Sequence, residues 1–337
     1  MARRGMVVAL AAVLVAAVPT PPATAGLPGP RPVWSIEALS APSQQHAVAR
    51  DVNSSGQVAG WVNGDTVPHA VVWQPDGSMT LFPDDRYPSS SATGINELGQ
   101  VVGTGGGMYT AIRPFVWDVA TGQVTWLGAL GTGNAAYGQA INDAGQVVGH
   151  SRLQTEGPAR AFLWDPATGR MDDLGTLGGT TSEAHGINDA GQVVGQAMRE
   201  DQRWRAFVWD PGTGVMTDLG AVREDGQSWA ADINDAGDVV GTSTVETGSA
   251  GFLWSVRTGR MTAVPGMAWA TGINERGDVA GWQVTETGYE AAAVWPRSRG
   301  SVVRLPALGT EQPPHIGPGG WSSPGDISDE GVVAGRA

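Results

Sequence analysis

The side chains able to do chemistry are few and scattered. Five histidines, His46, His69, His150, His185 and His315, stand at separations unlike those of a zinc site. The chain has no G-x-S-x-G elbow and no Walker loop. Two carboxylates, Glu183 and Asp232, lie in usable register for flanking a glycosidic bond, and Asp51 and Asp326 occupy the position equivalent to Asp232. Each of these Asp residues directly precedes Ile or Val, however, where solvating a strand edge is the plainer role. The other candidates are aromatic. Trp61, Tyr137, Trp229, Trp269, Trp282 and Trp321 have no repeated partner, and their rigid faces with polar edges suit stacking on a sugar or an aromatic ring. With His150, Glu183 and His185 they form the candidate ligand-binding set. Packing is the competing role, and Trp229 and Trp269 in particular could wedge between structural units. No catalytic residue, metal ligand or cofactor site is read from the sequence.

What must position these residues is a repeat. The string AINDAGQVVG at 140–149 recurs as DVNSSGQVAG from 51, GINELGQVVG from 94, GINDAGQVVG from 186, DINDAGDVVG from 232, GINERGDVAG from 272 and DISDEGVVAG from 326. A second string separates successive copies, as in AFLWDPATGRMDDLG from 161 and AFVWDPGTGVMTDLG from 206. The period averages about 46 residues, the length of one four-stranded propeller blade. Each unit reads as strand, turn, strand, loop, strand, turn, strand. Ile141 closes the first strand of its unit, Asn142 to Gly145 make a turn finished by glycine, Phe162 to Trp164 form the third strand and Met171 to Leu174 the fourth.

Two hairpins per unit cannot bury their own apolar faces, so the units must stack. Radial stacking gives an all-β propeller with few strand edges left open. The expected fold is a single domain of seven blades over 26–337, with repeats near 46–90, 91–134, 135–182, 183–228, 229–268 and 269–320. The last blade would be a composite of 321–337 with 31–42, in which the N-terminal piece gives one strand and the blade has three. The recurring Trp34, Trp73, Trp117, Trp164, Trp209, Trp254 and Trp295 are expected between blades. The Asn and Asp turns lie on one face of the disc. The loops that vary in length and content, such as 150–160, 196–205 and 307–325, lie on the other, and that face is where a ligand is expected.

Residues 1–25 have the three parts of a signal peptide: Arg3 and Arg4, the 13-residue apolar run at 6–18, and the small residues Ala23, Thr24 and Ala25. The run is shorter than a spanning helix needs, so stable membrane insertion is not expected. Without cysteine, the exported chain relies on burial and backbone hydrogen bonds. Its net charge of −13 becomes −15 once Arg3 and Arg4 leave, which repels polyanions and argues against a nucleic-acid partner.

The repeated G-I-N-x-x-G-x-V-x-G string is similar to the HAF repeat family of exported bacterial proteins, named for a His-Ala-Phe tripeptide ahead of the third-strand tryptophan. His69, Ala70 and Val71 come nearest to that tripeptide, while other copies read Arg160, Ala161, Phe162 and Arg205, Ala206, Phe207. The resemblance implies a structural class without assigned chemistry. The expected function is a secreted, monomeric, non-enzymatic binding or scaffolding module whose ligand is carbohydrate or a cell-envelope polymer. The alternatives are a secreted carbohydrate-active hydrolase or lyase on the same scaffold and a purely structural surface protein.

Overall fold

A valine pair such as Val147-Val148 turns its two side chains to opposite faces of a strand, and both are fully buried. That requires cover on each side of the sheet, and neighbouring blades provide it. Val147, Phe162 and Trp164 pack with Val102, Leu127 and Leu130 of the preceding blade, whereas Val148 and Ala161 pack with Ala184, Val193 and Phe207 of the following one. The computed structural model describes residues 12–18, 33–39, 46–63, 67–107, 110–284, 290–305 and 323–336.

These residues form a β-propeller. Six four-stranded antiparallel blades follow one another along the chain, with inner strands Ala47–Val52, Ser89–Ile95, Ala136–Ile141, Gly178–Ile187, Ser228–Ile233 and Trp269–Ile273. Blade three is typical: after Ala136–Ile141 come Val147–Arg152, Ala159–Asp165 and Arg170–Asp173, hydrogen-bonded in that order. A further sheet joins the chain ends. The C-terminal hairpin of Ser323–Ile327 and Val333–Arg336 pairs with Ala12–Val18, which pairs with Val33–Ala38. The N-terminal region therefore gives two strands rather than one, and the first lies inside the expected leader. The reason is spacing. Val33–Ala38 lies outermost, Leu39 after it packs against the core of blade one, and Ala12–Val18 fills the place between that strand and the hairpin.

The repeated turn residues link blades to one another. Asn142 accepts the N–H of Gln146 at 2.9 Å through its own carbonyl oxygen, as an Asn in a turn commonly does. Its amide nitrogen donates to the backbone carbonyl of Asn188, at 3.1 Å, in the next blade. The same bond runs from Asn53 to Asn96, Asn96 to Asn142, Asn188 to Asn234, Asn234 to Asn274 and Asn274 to Ser328, at 3.0 to 3.1 Å. One residue later a second ladder runs outside the first. Asp143 accepts the N–H of Glu97 at 2.9 Å, and Asp189, Asp235, Glu275 and Asp329 continue the series. Asp143 and Glu275 have raised pKa values, chiefly from burial and further from neighbouring carboxylates in this ring.

Trp73, Trp117 and Trp164 are buried between blades, and Trp209, Trp254 and Trp295 pack partly buried against the same cores. The side chain of Trp34 lies outside the described residues. Where the HAF pattern has His, Arg205 and Arg113 hold loop carbonyls. Arg205 is buried and donates to Gly226 and, at 3.0 Å, to Glu224, while Arg113 donates to Gly133 at 3.4 Å.

Candidate functional site

Every inner strand carries a β-bulge at the same place. The register slips at Arg50, Thr93, Gln139, His185, Ala231 and Thr271, leaving one extra residue opposite the second strand. Just beyond the bulge, toward the variable loops, one residue of the inner strand faces one of the second strand. These pairs are Val48 and Trp61, Ser91 and Thr104, Tyr137 and His150, Glu183 and Gln196, Trp229 and Thr242, and Trp269 and Trp282. The surrounding strands repeat from blade to blade, whereas this tier differs in each.

Two adjacent blades place most of the tier's polar chemistry together. The Tyr137 ring stacks on His150 with centroids 4.9 Å apart and planes 26° from parallel. In the next blade, Gln196 donates to Glu183 Oε2 at 2.7 Å, and His185 Nε2 lies 3.8 Å from the same oxygen. The bulge re-aims the His185 ring so that Nδ1 reaches the carbonyl of Ala230 at 2.8 Å. A carbonyl only accepts, so Nδ1 carries the hydrogen and Nε2 is the atom turned toward Glu183. Thr93 shows what the bulge position does elsewhere: its hydroxyl donates to the carbonyl of Gly138 in the next blade at 3.0 Å.

The contact with His185, followed by the Gln196 bond, overrides burial and holds Glu183 at about 2, so the group is a carboxylate at neutral pH. Burial lowers the pKa of His150 more than Glu183 raises it, which keeps that imidazole neutral. His150 Nδ1 is buried without a hydrogen-bond partner. With the Glu183 side chain 28% exposed, its lowered pKa stabilises the fold above the ordinary value of 4.5, a contribution lost as pH falls through about 2. Thermal unfolding should therefore show the wild type losing more stability than Glu183→Gln as pH drops from 4.5 to 2.

Two blades further round, Trp269 and Trp282 meet with centroids 5.7 Å apart at 59°, and Trp282 Nε1 is buried without a partner. Trp229 stands between the polar pair and this aromatic pair, opposite buried Thr242. Trp61 faces Val48 in blade one, and Trp321 lies outside the described residues. Tyr137, His150, Glu183 and His185 thus come together, and Trp269 joins Trp282. Gln196 is the member not singled out from sequence, although it stands in the same column as His150 and Trp282 and directly opposite Glu183.

Asp232 does not simply solvate a strand edge: its two oxygens accept the N–H groups of Ile233 at 2.8 Å and Ile273 at 2.9 Å, tying blade five to blade six. Burial, the largest cause, pushes its pKa up to about 7. Asp51 repeats the arrangement with Val52 and Ile95, both at 2.7 Å. Among the described residues, no three His, Asp or Glu side chains are placed to hold one metal ion.

No family model matches the chain, and no curated protein sequence does. Solved structures match in fold. The β-propeller domain of the Trilobed protease from Pyrococcus furiosus superposes with a TM-score of 0.58 at 13% identity, over 82% of this chain and 83% of that one. TolB from Acinetobacter baumannii gives 0.54 at 12%, over 78% of this chain and 64% of the TolB chain, so the likeness leaves about a third of TolB unmatched. An oligogalacturonate lyase in complex with manganese gives 0.55 at 11%, over 78% of each. At such identities the likeness is one of fold. Among the described residues no helix is long and apolar enough to cross a membrane.

Proposed function

We propose that the protein is a secreted, monomeric, non-enzymatic binding module of the HAF repeat class, with a seventh blade built from its C-terminal hairpin and the N-terminal segment that remains once the leader is removed. Its ligand is a carbohydrate or a cell-envelope polymer, seated on the variable-loop face. The observation that carries this reading is the tier itself: in a repeat where the surrounding strands recur, facing pairs differ from blade to blade and gather Tyr137, His150, Glu183, His185 and Gln196 beside Trp229 and Trp269. Aromatic faces supply stacking area for sugar rings, and the Glu183 carboxylate and Gln196 amide supply fixed acceptors and donors for hydroxyls. The net charge of −13, which becomes −15 once Arg3 and Arg4 leave with the leader, disfavours polyanionic ligands.

The apolar run at 6–18 with its small-residue site supports export. A glycan array and a pull-down with purified cell wall test the ligand. Binding by the wild type should fall at least tenfold in Trp229→Ala with Trp269→Ala, the loss of about 1.4 kcal/mol of stacking. Unchanged binding in that double variant removes both residues from the site.

A further inference from the structure

The sheet that joins the chain ends keeps the register of the other blades. Val333 stands in its repeat where Val147 stands in blade three. Val147 is paired with Trp164 on the third strand, and Trp164 with Met171 on the fourth, three residues ahead of Leu174. In the joining sheet Val333 is paired with Val15, and Val15 with Ile36, three residues ahead of Leu39. Leu174 packs with Ala184 and Ile187 of the following blade, and Leu39 packs with Ala47, Ala49 and Val52 of blade one. Val33–Ala38 is therefore a fourth strand. The third is Ala12–Val18, which lies wholly inside the expected leader.

Removal of residues 1–25, the step of the export reading on which the inference rests, takes that third strand away. The hairpin and Val33–Ala38 then stand about 9–10 Å apart, twice the spacing of paired strands and too far to bond directly. Each borders the gap with backbone N–H and C=O groups that the leader strand pairs in the full chain. Shifting Val33–Ala38 inward does not close it. That strand runs parallel to Val333–Arg336, since both are antiparallel to Ala12–Val18, and the shift would draw Leu39 out of the core of blade one. The adjoining stretches do not supply a strand either. Residues 26–32 contain Pro28, Pro30 and Pro32, and residues 306–322 contain Pro306, Pro313, Pro314 and Pro318, so no run of seven in either is free of proline. Proline has no N–H to give a central strand.

We propose that the exported protein presents this gap as a strand-acceptor slot, filled by an extended apolar segment of a partner polypeptide. The leader shows what fits: seven uncharged residues, AVLVAAV, antiparallel to both walls. Third strands elsewhere set the same requirement, because neighbouring blades cover them on both faces. Ala70, Val71, Val72 and Trp73 are all buried, and so are Ala292, Ala293 and Val294 of blade six. Successive side chains of a strand in the slot point to opposite faces, toward the core that holds Val333 or the one that holds Ala334, and neither offers a partner for a charge. Backbone pairing along two walls supplies affinity, and the apolar requirement supplies selectivity. The slot is third from the axis, outside the inner two strands that carry the variable tier.

The test compares protein purified from the culture medium with the full-length chain made without export. Intact mass comes first: a chain starting at Gly26 upholds leader removal, and one that keeps residues 12–18 overturns both that removal and the slot. In the processed chain the amides of Val333–Arg336 should exchange at least about tenfold faster than in the full-length chain, the equivalent of one lost backbone hydrogen bond, with Val147 and Val193 unchanged. A synthetic peptide of residues 12–18 with polar flanks should reverse this, saturating at one peptide per chain and raising Tm as its concentration rises. The same peptide with Val15→Pro should do neither. Protection of those amides in the processed monomer without peptide, or equal effects of the two peptides, overturns the slot and leaves the binding role of the tier standing. Self-association of the processed chain, seen by light scattering together with protection of those amides, makes a second copy the occupant and overturns the partner strand.

Discussion

Phe207→Ala should destabilise the fold by about 3–5 kcal/mol, a fall in Tm on the order of 4–8 °C by differential scanning calorimetry. Phe207 is fully buried and packs with Val148 and Ala161 of blade three as well as Leu174, Ala184 and Ile187, so its ring fills the seam between blades three and four. The cost depends on whether the site can collapse, and the protein contains its own control. Blade six has Ala293 at the equivalent position, and there the Met267 sulfur lies against Gly281, occupying space that a phenyl ring occupies in other blades. Ala293→Phe should therefore be overpacked, costing about 1–3 kcal/mol, while Phe207→Ala leaves a cavity.

Gly195→Ala should cost about 2–3 kcal/mol and also weaken ligand binding, which separates it from a simple core defect. The glycine ending each V-x-G string faces the bulge, and a Cβ there would overlap the backbone carbonyl of the tier residue opposite: Val48, Ser91, Tyr137, Glu183, Trp229 or Trp269. At Gly195 the carbonyl belongs to Glu183, so added bulk pushes on the residue that holds His185 and Gln196. Gly241→Ala applies the same strain under Trp229. Calorimetry with the glycan-array readout checks both, and an unshifted Tm in Gly195→Ala would show that the inner strand yields freely.

These predictions also mark the division between sequence and tertiary structure. The four-strand unit, its turns with left-handed glycines such as Gly145 (φ 75°) and the tryptophans between blades follow from local rules: period, alternation and turn chemistry recur in every copy. The tier is legible in the sequence as side chains without a repeated partner, but not as pairs that face each other. That depends on the bulge, which shifts register by one residue and carries no composition signal of its own beyond the recurring glycine opposite.

In the sequence the Asn and Asp of each repeat read only as turn residues. Part of their bonding goes to the next blade, across separations of 40 to 54 residues that no local rule spans. The same holds for the Asp column. One residue type before Ile or Val solvates an edge in an isolated strand and spans to the next blade when it meets glycine there. Sequence determined the repeating unit because that unit is built from short-range contacts. Only the closed arrangement of units decided which side chains meet, because each blade's neighbours across the ring are set by packing and not by chain distance.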